Sequence, residues 1–307
     1  MTERLPLPSS FGHRLNDAFA QYGQLCVGID PHAALLEEWS LPDDVRGLET
    51  FAKTVVNAAA GRVGVVKPQV SFFERFGSRG FAVLEEIGQL AAEAGLLVIM
   101  DAKRGDIGST MEAYFEAWLG KSAPFHSDAL TLSPYLGLQS LMPTIGSAFE
   151  LGKGVFVLSA TSNPEGEKLQ TAQVEGIAGL DPDGNPITTD AMTVAQAIWG
   201  GLGQINSVTA GAGELMGSAG AVLGATLNLN KFGLGAVTTL PQEVHTPILA
   251  PGFGAQGAQL SEVSKLFGVA AGQVVASVSR SVLSAGAEGI VAAIDAAKAE
   301  LAQGLAG

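Results

Sequence analysis

Leu96-Leu97-Val98-Ile99-Met100-Asp101-Ala102-Lys103 is the stretch on which the fold turns. It is a near-continuous apolar run, as expected of a parallel strand covered on both faces. Its far end carries two charges, and Arg104-Gly105-Asp106 follows at once.

Working outward, similar apolar runs lie at 24–30, 63–67, 129–133, 154–159, 221–225, 247–250 and 274–279. Between them are helical patterns at 48–60, 81–94, 110–118, 138–151, 193–202, 260–266 and 289–302. Strand–helix alternation eight times over points to a closed α/β barrel, the (β/α)8 or TIM barrel. An open doubly wound sheet is the alternative. The 307 residues suit one such barrel, with no close repeat and no shift of composition to mark a boundary, so 1–307 reads as a single domain. One spacing is irregular: about 60 residues separate the fifth and sixth runs. The segment at about 163–190, with Asp181-Pro182-Asp183-Gly184-Asn185-Pro186, reads as an enlarged loop, with a short hairpin as the alternative, before the next helix. It is either surface decoration or a lid.

Composition narrows the function. Hydrophobic residues are 47% of the chain, and 40 glycines are spread along it, as many tight turns require. The net charge of −13 argues against general nucleic-acid binding, which needs a basic surface. Cys26 stands alone, so neither an intrachain disulfide nor a cysteine-rich zinc site is expected, and it reads as a small buried residue. Residues 1–10 mix charge and proline without an apolar core and do not read as a signal peptide. No apolar run nears the roughly 18 residues of a bilayer span. A cytoplasmic protein with no membrane partner is the simplest expectation.

In an α/β barrel the active site lies at the C-terminal ends of the strands. The first run ends in Asp30, the second in Lys67-Pro68-Gln69, the third in Asp101-Ala102-Lys103. Asp101 and Lys103 are two apart, so on an extended strand they share a side, and Lys67 on the neighbouring strand can reach them. A structural ion-pair network is the plain reading of such a trio. Its place at the catalytic face favours chemistry, since buried ion pairs are weak evidence for stability. A lysine between carboxylates is held charged, a proton donor rather than a Schiff-base nucleophile. Asp106 comes after Gly105, where the chain has left the strand, which suggests that it serves a neighbouring subunit.

The last two strand ends differ. Pro251-Gly252-Phe253-Gly254-Ala255-Gln256-Gly257-Ala258 follows the seventh, and Ser279-Arg280-Ser281 the eighth. A glycine-rich loop alone is most simply a flexible turn. Joined to Arg280, it reads as the phosphate site that recurs between these two loops.

Asp101-Ala102-Lys103-Arg104-Gly105-Asp106-Ile107, with Lys67-Pro68-Gln69 and the loop around Gln256, resembles the orotidine 5′-phosphate decarboxylase family. The family's signature is Asp-x-Lys-x-x-Asp-Ile, and the spelling is most similar to its longer bacterial subgroup. The resemblance runs from about Gln24 to Leu283 and implies a TIM barrel, a pyrimidine nucleotide substrate, a homodimer and no cofactor or metal. It implies that Asp30 holds a ribose hydroxyl, that Lys67 bridges ribose and carboxylate network, and that Asp101 sits against the substrate carboxylate. Lys103 would protonate C6. Asp106, Ile107 and Thr110 would reach into the partner's site. Ser162 would contact the pyrimidine, and Gln256 and Arg280 would hold the 5′-phosphate. Ala258 and Ser159-Ala160 depart from the family's usual residues. Two other functions remain: a metal-dependent sugar-phosphate decarboxylase or aldolase of the same superfamily, and a non-catalytic phosphate-ligand sensor. Lys67 stands against the first, as a cation where a metal would bind. The intact charge cluster stands against the second. Of the histidines, only His32 follows a strand end closely enough to approach the site.

Overall fold

The computed structural model describes residues 8–175, 177–180, 186–188 and 190–307. Eight parallel strands close into a barrel in sequence order: β1 (Leu25–Ile29), β2 (Val65–Pro68), β3 (Leu97–Arg104), β4 (Ala129–Leu132), β5 (Gly154–Ala160), β6 (Ala219–Leu223), β7 (Ile248–Pro251) and β8 (Val274–Val278). The open-sheet alternative is thereby excluded, because β1 pairs with both β2 and β8. All eight strands lie within two residues of the runs read from the sequence.

The period of two divides each strand between two cores. Cys26, Val65, Leu97, Ile99, Ala129, Phe156, Leu249 and Val275 fill the barrel interior. Val27, Val66, Val98 and Met100 face the other way, into the layer between strands and helices with Phe51 and Leu84. The same alternation carries Lys67, Asp101 and Thr131 inward, one pleat above Val65, Ile99 and Ala129. Cys26 is fully buried in that interior, and burial pushes its thiol pKa up to about 12.

Outside the strands run α1 (Phe11–Tyr22), α2 (Val45–Ala59), α3 (Ser78–Glu93), α4 (Gly108–Trp118), α5 (Met142–Glu150), α6 (Val194–Thr209) and α7 (Gly286–Ala306). Helix α1 is a gain over the sequence reading. Ser10 caps it, accepting from the His13 N–H at 3.1 Å, and its Phe11 plugs the bottom of the barrel, edge-on to Phe156 at 5.9 Å. Arg14 ties it down by an ion pair to Asp128. Two expected helices are split. The pattern at 138–151 begins as a 3-10 turn, Leu138–Leu141, because Pro143 at the start of α5 has no N–H to continue the ladder backward. The pattern at 260–266 likewise opens with a 3-10 turn, Leu260–Glu262. Between β6 and β7 there are only the short turns Leu229–Phe232 and Gly235–Thr239.

In the enlarged β5–β6 connection, Ile177–Leu180 pairs antiparallel with Pro186–Thr188, the hairpin that the turn chemistry suggested. Residues 181–185 lie outside the described residues, as do 1–7, 176 and 189. A second pair, Gln173–Val174 with Met192–Thr193, closes the base of the insertion. Among the described residues no helix is long and apolar enough to cross a membrane.

Candidate active site

At the strand C-terminal ends lies a cavity of about 450 Å³. Asp30, Lys67, Asp101 and Lys103 line one side; Ser162, Gln256 and Arg280 line another. The structure therefore brings together seven of the ten residues singled out from the sequence.

The charged side is built around one carboxylate. Asp101 Oδ2 accepts from Lys67 Nζ at 3.0 Å and from Gln69 Nε2 at 3.1 Å. Asp101 Oδ1 accepts from Lys103 Nζ at 2.6 Å and from Thr131 Oγ1 at 2.9 Å. Burial alone would raise the pKa of Asp101, but the Lys67 and Lys103 ammonium groups outweigh it and hold the carboxyl well below the usual carboxylate range. Burial disfavours the Lys67 cation too, and the Asp101 and Asp30 carboxylates outweigh that, holding Lys67 charged. The Lys67 ammonium and the Asp101 carboxylate thus persist at neutral pH as a buried pair.

The route by which Lys103 reaches Asp101 differs from the one expected. β3 does not stay regular: Met100 pairs with Leu130 and Arg104 with Leu132, so β3 spends four residues where β4 spends two. Lys103 absorbs the excess with φ 50°, a left-handed conformation that costs a non-glycine residue on the order of 1–3 kcal/mol. The two side chains meet across this bulge rather than by strand alternation.

Beyond the bulge, Arg104 turns outward over the rings of Tyr114 and Trp118 at 5.7 and 5.3 Å and pairs with Glu74 at 3.2 Å. The chain that follows leaves the cavity. Asp106 accepts its neighbour's N–H, from Ile107 at 2.8 Å, and Ile107 is 60% exposed. Asp106, Ile107 and Thr110 do not line their own chain's cavity.

At the opposite side, Gly252, Gly254 and Gly257 have φ of 119°, 72° and 109°. The loop closes through Gly254 N–H to Ala258 O at 2.8 Å and Ala258 N–H to Gly252 O at 3.2 Å. A Cβ on Gly254 would stand 2.5 Å from Ser281 Oγ, so this loop and the start of the turn Arg280–Leu283 fit only with glycine there. Ala258, a departure from the family's usual residue, is buried and takes part in this closure. Ser162 donates to Gln256 Oε1 at 3.3 Å, which joins the β5 and β7 loops over the cavity. Arg280 is solvent-exposed and has no carboxylate within ion-pair distance among the described residues, an arrangement open to an anion. Ser159, the other departure, is buried and donates to Ala195 O at 2.9 Å, which ties β5 to α6.

Two atoms next to the cavity are buried and unpartnered: Asp30 Oδ1 and Ser279 Oγ. Both residues line the cavity, so each leaves unmet hydrogen-bonding capacity beside it. A Cβ on Gly28 would come within 3.3 Å of Asp30 Oδ1, so glycine leaves Asp30 room.

Several neighbours were not singled out beforehand. Gln69 and Thr131 bond to Asp101, and Phe72 packs against His32 with ring centroids 4.2 Å apart and planes inclined at 57°, these two rings both lining the cavity. Gln69 had a signal, its place two residues beyond Lys67. Thr131 had none, because a threonine inside an apolar strand is unremarkable.

The protein-family comparison matches residues 23–295 to the orotidine 5′-phosphate decarboxylase / HUMPS family. The chain is 52% identical over 277 residues to the orotidine 5′-phosphate decarboxylase of Streptomyces coelicolor, with 90% of each chain covered. It is 50% identical over 277 residues to that of Salinispora tropica, covering 90% of this chain and 91% of the relative. A crystal structure described as an orotidine 5′-phosphate decarboxylase from Streptomyces avermitilis superposes with a TM-score of 0.84 at 47% identity, covering 98% of both chains.

Proposed function

This chain belongs to the orotidine 5′-phosphate decarboxylase / HUMPS family, and from that premise we infer that it converts orotidine 5′-phosphate to uridine 5′-phosphate with Lys103 as proton donor to C6. The observation that carries the reading is the Lys103 ammonium, 2.6 Å from Asp101 at the mouth of a cavity whose far side offers Arg280.

Loss of carbon dioxide from C6 leaves an electron pair that the ring delocalises poorly. At the upper end of enzymatic rate enhancement the stabilisation required is about 20 kcal/mol. A fixed ammonium beside the carbanion supplies Coulomb attraction where water is scarce, and its proton then completes the product. Electrons balance: the C6–carboxylate pair stays on carbon, takes the proton of Lys103, and carbon dioxide leaves. Asp101 orients Lys103 and stands where the substrate carboxylate must fit. Asp30, which lines the cavity, accepts a ribose hydroxyl. Lys67 bridges ribose and Asp101, Ser162 contacts the base, and Gln256 and Arg280 grip the phosphate. The phosphate lies far from C6, so its binding energy serves to organise the site.

The working unit in this reading is a homodimer in the cytoplasm. Asp106, Ile107 and Thr110 enter the partner's site, which accounts for their absence from their own cavity and for the exposure of Ile107. The metal-dependent alternative is not favoured: Lys67 already occupies Asp101 Oδ2 and would repel a divalent ion there. A sensor has no use for a proton donor held beside Asp101.

Following orotidine 5′-phosphate by its ultraviolet absorbance tests the assignment. Loss of absorbance with stoichiometric carbon dioxide and uridine 5′-phosphate is expected. A protein that binds the nucleotide without turning it over would overturn the assignment in favour of the sensor.

A further inference from the structure

We propose that Thr131 is a positioning residue for the proton donor: its one hydroxyl holds the main chain of Lys103 and the carboxylate of Asp101 at the same time. Thr131 has this role only if Lys103 is the donor inferred above.

Thr131 lies on β4 and is 1% exposed, inside the barrel one pleat above Ala129. Its Oγ1 accepts the Lys103 N–H at 2.9 Å and donates to Asp101 Oδ1 at 2.9 Å. Asp101 Oδ1 in turn accepts from Lys103 Nζ at 2.6 Å. These three bonds close a ring that begins and ends on Lys103. The hydroxyl has a single proton, already given to Asp101, so its lone pair is what receives the amide. The ring therefore has one sense, and it requires Asp101 as the carboxylate.

The ring sits where the backbone most needs support. Lys103 has φ 50° within the register slip between β3 and β4, between the pairs Met100–Leu130 and Arg104–Leu132. A left-handed non-glycine residue persists only where its surroundings over-determine it. Here the surrounding bond to its N–H is the Thr131 hydroxyl. Gln69 supports the other carboxylate oxygen, donating to Oδ2 at 3.1 Å. Thr131 itself does not line the cavity, so it acts through Lys103 and Asp101 rather than on the substrate.

The test compares Thr131→Val, Thr131→Ser and Thr131→Cys in the full chain. Turnover of orotidine 5′-phosphate, affinity for uridine 5′-phosphate and the thermal melt are measured for each. Valine keeps the shape and loses both bonds, so kcat is expected to fall on the order of 10- to 100-fold, the cost of a misplaced reacting group. KM and product affinity should stay within about threefold, since binding common to ground and transition states is untouched. Serine restores both bonds and should return kcat to within about threefold of the parent. A Val variant with parental kcat overturns the role, and so does a loss that serine fails to restore in folded protein. If Thr131→Val does not fold, cysteine, a weak donor and weak acceptor of similar size, should give a kcat below that of serine. A Cys variant as fast as the parent then overturns it. Lys103→Ala separates the two levels. An active Lys103→Ala protein removes the donor reading itself, whereas an inactive one beside a fully active Thr131→Val removes only the role of Thr131.

Discussion

Lys103 Nζ stands 2.6 Å from Asp101 Oδ1 although β3 loses its regular register against β4 between Met100 and Arg104, with Lys103 at φ 50°. The contact is thus made from the far side of a bulge, and the other oxygen of Asp101 is held by Lys67 at 3.0 Å. With the Asp30 carboxylate also acting on Lys67, two lysines stand against two carboxylates, and the Lys103 end of that row lines a cavity closed below by apolar side chains. An ammonium at that end is suited to negative charge appearing on a substrate carbon.

Lys103→Ala removes both proton and field. Turnover should fall at least about 1000-fold, from the combined loss of general-acid and electrostatic contributions. Affinity for uridine 5′-phosphate should survive, because Arg280 and the 252–258 loop lie on another side of the cavity. Single-turnover kinetics and calorimetry check the two halves separately.

Arg280→Ala should act on binding first. A charge-assisted hydrogen bond contributes about 1.5–3 kcal/mol, so KM should rise roughly 10- to 150-fold. Inorganic phosphite or phosphate added with a substrate lacking its 5′-phosphate should stimulate the parent more than the variant. Equal stimulation would place the phosphate elsewhere.

Asp106 lends itself to complementation. Lys103→Ala and Asp106→Asn proteins, each inactive alone, should regain activity when mixed and allowed to exchange subunits, because a mixed dimer carries one intact site. Native mass spectrometry monitors the exchange. Exchange without recovered activity would return Asp106 to its own chain.

Asp101→Asn carries a pH signature. The folded pKa of Asp101 lies below its unfolded value of about 3.9. Its stabilising contribution is therefore complete above that pH and is lost as pH falls through the lower folded value. At neutral pH the variant leaves Lys67 buried without its partner, a loss of about 3–5 kcal/mol. Guanidinium titrations from neutral to acid pH should find the gap between parent and variant widest above about pH 4 and narrowing below. A gap that widens on acidification would contradict the assigned direction.

Phe11→Ala tests the bottom of the barrel. Phe11 is fully buried against Phe156, and its truncation should cost about 3–5 kcal/mol with kcat unchanged, since it sits at the end opposite the cavity.

Runs of apolar residues with turn signals between them determined the eight strands, because covering both faces of a strand demands such a run whatever the rest of the chain does. The period of two likewise determined that Lys67 and Asp101 enter the same interior as Val65 and Ile99, and strand-end position marked the cavity residues Asp30, Gln256 and Arg280. Helix α1 escaped, since its role as a plug is defined only by the barrel opening it fills. The slip of β3 against β4, the left-handed Lys103 and the hydroxyl of Thr131 that receives its N–H were decided by tertiary structure alone. Register between two strands depends on both together with the helices that pack on them, and no local pattern in either segment encodes the extra residues that one must accommodate against the other.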